Sequence, residues 1–138
     1  MSIDLLFCRA PRILLVRFTD EITDANVDRM NALLARFVGE QGATNMIIDF
    51  SSAPFARILA SRLAQRGRRP SRMQGFRRAF VVPETLIDVF RHYGLQQETH
   101  GDEPPLLVLS LEEALARLDS VGASFQAVVF ASDLQRRS

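Results

Sequence analysis

The sequence predicts an α/β domain: a mostly parallel sheet that opens with an antiparallel pair of strands and is covered by about four helices. Three observations predict it. Short apolar runs alternate with segments whose apolar residues recur at helical spacing, as when helices cross between parallel strands. The first two apolar runs are separated by too few residues for a helix, so they pair as a hairpin. Cap and stop residues (Thr23, Gly42 and Ser110) stand where the periodic segments begin and end.

The elements follow in order. Residues 3–8 form the first apolar run, and Pro11 marks a turn before the second strand, 12–19. Thr23 caps a helix whose apolar positions are Val27, Met30, Leu34, Phe37 and Val38, with Gly42 as its stop. Residues 45–50 are the next strand. Ser51 or Ser52 can cap the helix after it, since Pro54 is tolerated in a first turn. That helix sets Phe55, Ile58, Leu59 and Leu63 inward, turns several arginines outward and ends at Gly67. Residues 68–76 show no period and read as a loop.

Residues 78–82 are a strand. Pro83 then opens a helix with Leu86, Ile87, Phe90 and Tyr93 inward and Gly94 just beyond it. A polar loop, 96–105, leads to the last clear strand, 106–109. Ser110-Leu111-Glu112-Glu113 is a capping box that starts a helix with Leu111, Leu115 and Leu118 inward. Residues 125–131 are apolar enough for an extra strand or a packing segment, and periodicity leaves both open. The chain reads as one domain over 1–138, with 121–138 the unassigned tail.

Charge is partitioned unevenly. Residues 54–83 hold eight arginines (Arg57, Arg62, Arg66, Arg68, Arg69, Arg72, Arg77 and Arg78) and no Asp or Glu. The rest of the chain holds nine basic and 16 acidic residues, a balance of −7 that the net charge of +1 conceals. One face is therefore expected to be positive, favouring an anionic partner there. A hydrophobic fraction of 47% and a charged fraction of 24% argue against disorder. The single cysteine, Cys8, excludes an intramolecular disulfide and reads as a buried structural thiol. No basic, apolar leader opens the sequence, and no apolar run approaches the ~18 residues needed to span a bilayer. The expected location is cytoplasmic, with contact at the membrane periphery as an alternative.

Together, the 13–34 segment, Ile47-Ile48-Asp49-Phe50-Ser51, Arg78-Ala79-Phe80-Val81-Val82-Pro83 and Ser110-Leu111-Glu112-Glu113-Ala114-Leu115 resemble the STAS superfamily. The closer resemblance is to its small SpoIIAA-like, STAS/Sec14-type bacterial members. The resemblance implies a non-enzymatic regulatory module that binds a protein partner. In the anti-sigma-factor antagonists of the family, a serine in an Asp-Ser-Ser-Gly motif is a phosphorylation switch. Aligned from Asp49-Phe50-Ser51, that motif falls near Arg57-Ile58-Leu59-Ala60, where no serine stands and the acidic residue is arginine. The Sec14-like side of the resemblance implies an apolar ligand pocket or membrane contact.

Two sites are expected. The first is a partner- or ligand-binding edge formed by Asp49, Ser51, Ser52, Phe55, Arg57, Ile58 and Leu59. Apolar runs ending in polar residues mark the carboxyl ends of buried strands, and open α/β sheets bind ligands in the crevice beyond those ends. Ser51 or Ser52 as a plain helix cap, with Asp49 ordering the turn, is the simpler alternative. The second is an anionic-surface contact through Arg62, Arg66, Arg68, Arg69 and Arg72, for which a solvated helix face is the alternative.

No enzyme, metal or cofactor is expected. His92, read as lying in the last turn of a helix, and His100, in a polar loop, have no spacing that suggests a metal site or a triad. No phosphate-binding glycine motif occurs. Nucleic acid is not expected, because no aromatic series interleaves the arginines. The expected function is thus a non-catalytic regulatory or protein-interaction module. The alternative is an apolar-ligand or lipid-binding module that touches membranes reversibly through its arginine-rich amphipathic helix. The protein partner is unidentified, and a homodimer is a further option.

Overall fold

A six-stranded sheet organises the protein, in the order β5-β4-β3-β2-β1-β6. The structure is a computed structural model that describes residues 3–19, 21–52, 76–99 and 103–130. Strands β1 (Ile3–Arg9) and β2 (Arg12–Phe18) form the expected hairpin, in register from Ile3 opposite Phe18 to Arg9 opposite Arg12. The Ala10–Pro11 peptide in its turn is cis. Helix α1 (Asp24–Gln41) starts at Thr23, whose hydroxyl accepts the Asn26 N–H at 3.1 Å, and stops at Gly42, where φ is +87°. A positive φ favours glycine because it has no Cβ to clash.

Strand β3 (Asn45–Asp49) runs parallel to β2, β4 (Arg78–Val81) parallel to β3, and β5 (Leu106–Val108) parallel to β4. Between β4 and β5 a single 3₁₀ turn (Glu84–Leu86) leads into α2 (Ile87–Thr99). Helix α3 (Leu111–Arg117) follows β5, and β6 (Gln126–Ala127) returns antiparallel to β1. The sheet is therefore mixed, with three parallel and two antiparallel pairings.

Alternate residues of each strand feed two cores. On one face Leu14, Val16, Phe18, Met46, Ile48, Phe50, Phe80 and Val82 meet Val27, Met30, Leu34 and Phe37 of α1 and Phe90 of α2. On the other, Ile13, Leu15, Ile47, Ala79, Val81 and Val108 meet Ala114 and Leu118 at α3. Burial on both faces explains why the central strands read as continuous apolar runs. Right-handed crossovers stepping in one direction along a sheet lay their helices on one face, and α1 and α2 do share one. Cys8 is buried in the second core, as expected.

Several expectations change. The helix expected from Ser51 or Ser52 to Gly67, and the loop at 68–75, lie outside the described residues; three α-helices are described. Helix α2 does not end at Gly94 but continues through it to Thr99. A Cβ at Gly94 would stand 3.3 Å from Cβ of Pro104, so this glycine admits the segment that leads into β5 rather than stopping the helix. His92 consequently sits mid-helix and exposed, not in a last turn. The polar stretch after Gly94 is helical as far as Thr99, and Gln97 within it is buried. The capping box is real but shifted: Ser110 Oγ accepts the Glu113 N–H at 3.1 Å, while Glu113 receives the N–H of Leu109 at 3.3 Å rather than that of Ser110. The tail is both strand and packing segment, since β6 pairs with β1 and Phe130 joins the first core.

Candidate functional site

The carboxyl ends of the parallel strands meet at Asp49. Phe50, the next residue, turns to the opposite face and enters an aromatic cluster. Its ring lies 5.1 Å from Phe18, 5.6 Å from Phe80 and 4.9 Å from Phe90. The Phe50 N–H also extends the ladder to the Val81 carbonyl at 2.8 Å. The strand end is thus pinned from below by packed aromatic rings and from the side by the sheet.

Above that base the Asp49 side chain is only 8% exposed. Its Oδ1 accepts two bonds from Ser51, the backbone N–H at 2.9 Å and the hydroxyl at 2.5 Å. An aspartate that gathers donors two residues ahead closes an Asx turn, which fixes the chain where it leaves the strand. Oδ2 lies 3.8 Å from Nε of Arg17, whose side chain is 38% exposed. Register explains the pairing: Arg17 of β2 stands beside Asp49 of β3, and Asp4 of β1 stands beside Arg17 on its other side. A row of acid, base and acid therefore crosses three strands at this end of the sheet.

Chemically the arrangement holds a surface group in place. Ser51 and Ser52 are exposed, and the Ser51 hydroxyl is directed to the carboxylate. No histidine joins Asp49 and Ser51 among the described contacts, and no group of three or more His, Cys, Asp or Glu among the described residues could hold a metal ion. Phe55, Arg57, Ile58, Leu59, Arg62, Arg66, Arg68, Arg69 and Arg72 lie outside the described residues.

Two arginines counted with the cationic face behave otherwise. Arg77 is exposed but paired, with NH1 3.9 Å from the Asp119 carboxylate. Arg78 is 7% exposed and points into the fold. Its NH2 donates to Oε1 of Gln97 and, at 2.9 Å, to the Glu103 carbonyl, while its guanidinium lies 5.9 Å from the Phe80 ring. Gln97 in turn donates to the Tyr93 hydroxyl at 2.9 Å. Alternation on β4 puts Arg78 on the same face as Phe80 and Val82. That periodicity was the available signal of its burial. Gln97 likewise follows Phe90 and Tyr93 along one stripe of α2, a pattern hidden by reading Gly94 as a stop. Arg17 had no local signal, because its partner is set by register between strands far apart in sequence.

Among the described residues no helix is long and apolar enough to cross a membrane. No protein-family model matches the chain, and no curated protein does.

Proposed function

We propose that the protein is a non-catalytic regulatory or protein-interaction module of STAS/SpoIIAA-like type, with its contact surface at the carboxyl end of β3. One observation carries the reading: the buried Asp49 carboxylate accepts both Ser51 donors on Oδ1 and has Arg17 alongside Oδ2, an arrangement that shapes a turn. A rigid turn with two exposed serines on an aromatic base suits recognition, because little ordering entropy is lost when a partner docks. The sequence segments that resemble the STAS superfamily support the same reading.

The test is affinity capture with the full chain followed by titration of the recovered partner, wild type against Ser51→Glu and Arg57→Glu. Ser51→Glu sets a second carboxylate against Asp49 and opens the turn. The expected result is a discrete partner whose affinity falls at least tenfold with Ser51→Glu. Identical recoveries from wild type and both variants reject the assignment of this surface.

The partition of charge favours a second reading, an apolar-ligand or lipid-binding module that contacts anionic membranes through Arg62, Arg66, Arg68, Arg69 and Arg72. Each basic residue near an anionic surface contributes roughly 1 kcal/mol, and salt screens it. Co-sedimentation with anionic but not neutral vesicles supports this reading, and equal partitioning of wild type and an Arg66→Glu, Arg68→Glu, Arg69→Glu variant rejects it.

A further inference from the structure

After α3 the chain reverses tightly. The Ala123 N–H donates to the Ser120 carbonyl at 3.1 Å, closing a turn with Val121 and Gly122 at its corners. Gly122 has a φ of +84°, and a Cβ placed on it would meet nothing within 4 Å. Glycine is therefore favoured there by the backbone conformation and not by crowding. Val121 is 76% exposed, the barest large apolar side chain among the described residues.

Beyond the turn, residues 123–130 form an arm that grips the fold most firmly at its far end. There Phe130 is buried in the first core with the Arg36 guanidinium 4.1 Å from its ring, and the Val128 N–H donates to the Leu5 carbonyl at 3.0 Å. Midway, Ala127 stands opposite Leu6 and Gln126 opposite Phe7, with both arm side chains exposed. Nearer the turn Phe125 rests half-buried on the second core. The ladder stops there, and a cleft of about 310 Å³, lined by Arg9 and Ser124 among others, opens where the arm and β1 part. The arm is thus recognised by its tip and middle, and its root is slack. Nothing in that recognition depends on which chain supplies the turn.

We propose that two copies of this chain exchange the 123–130 arm. Each arm lies along β1 of the other copy in the register it has within one copy, and the 120–122 turn opens as the hinge. The contacts exchanged are those the single chain already makes, which is why swapping an identical element is a low-cost route to a dimer. The twofold axis brings the opened hinges side by side, so each bare Val121 gains apolar cover. The chain's own arm competes by proximity, so exchange increases with protein concentration. This surface is independent of the turn at Asp49 and stands or falls separately from the function proposed above.

Cross-linking tests the exchange. The bond between Val128 and Leu5 makes Leu6 and Ala127 the non-hydrogen-bonded pair of the ladder, and the Cα atoms of such pairs lie about 4.5 Å apart, within reach of a disulfide. Full-length Leu6→Cys and Ala127→Cys variants, each also carrying Cys8→Ala, are mixed and gently oxidised. The expected product is a covalent heterodimer, scarce when either variant is oxidised alone and more abundant as concentration rises. One chain carrying all three substitutions should close on itself when dilute. Gly122→Val in the otherwise unaltered chain should raise the dimer association constant about tenfold or more by light scattering, because a β-branched residue at positive φ strains each closed hinge. Cooperative melting establishes that each variant is folded; if Leu6→Cys does not fold, light scattering of Gly122→Val against wild type decides. A heterodimer no more abundant than the products of either variant alone, a dilute triple variant that fails to close, or Gly122→Val no more dimeric than wild type each overturns the proposal.

Discussion

The two ends of the sheet each bury a charge, and they put it to different uses. At the carboxyl end Asp49 collects donors from the turn that follows it and has Arg17 alongside. At the amino end Arg78 gives its protons to neutral acceptors only, the Gln97 amide and the Glu103 carbonyl, among the described residues. A buried ion is costly unless bonded, and either a countercharge or oriented dipoles can supply the compensation. The difference lies in what each solution holds. Asp49 shapes an exposed turn, so its energy is spent on a surface. Arg78 ties β4 to the end of α2 and to the segment entering β5, so its energy is spent on architecture.

Breaking the architectural end should have the largest effect. Arg78→Ala removes both bonds and leaves the amide of Gln97 buried without its donor, at a cost of ~3 kcal/mol. Urea unfolding followed by circular dichroism measures it, and a loss under ~1 kcal/mol would show that water takes over the role of the guanidinium. The double variant Arg78→Met, Gln97→Leu exchanges the polar tie for apolar contact. It should regain at least half the loss, since well-packed apolar replacements of buried ionic groups are often neutral.

Asp49→Ala should cost ~2 kcal/mol through the two bonds to Ser51, and it should raise amide exchange at Ser51 while leaving α2 protected. Equal deprotection of both regions would mean that the two ends are coupled. The smallest effect belongs to Arg17→Ala, at ~0.5 kcal/mol or less. Its contact with Asp49 is long and its side chain is more than a third exposed, conditions under which ion pairs contribute little. A loss above ~1 kcal/mol would promote Arg17 from neighbour to partner.

How far these ends could be read in advance depended on range. The Asx turn was legible because Asp49 and Ser51 are two residues apart, and the caps at Thr23 and Ser110 were legible for the same reason. The two-sided burial of β2, β3 and β4 followed from unbroken apolar runs. Arg78 departs from the single cationic surface that eight arginines without an acid suggest, because strand alternation separates it from Arg77. Gly94 departs from the expected stop because helix stops and close approaches both select glycine, and only the position of Pro104 distinguishes them. The row from Asp4 through Arg17 to Asp49 depended on register, which no local pattern specifies. The cleft depended on where a two-residue ladder stops.

That short ladder also bears on how the protein avoids sticking to itself. Unpaired strand edges are templates for aggregation, and proteins blunt them by keeping edge strands short. Among the described residues the outermost strands are β5, with three residues, and β6, with two, while the seven-residue β1 and β2 lie inside them. The cover over β1 is thin. Among the described residues it consists of β6, one bond from the Val128 N–H to the Leu5 carbonyl at 3.0 Å, and Phe130 held beneath Arg36 at 4.1 Å. Lifting those few residues would bare a long, apolar strand to any neighbouring chain, so the segment from Gln126 to Phe130 works as a guard on colloidal behaviour.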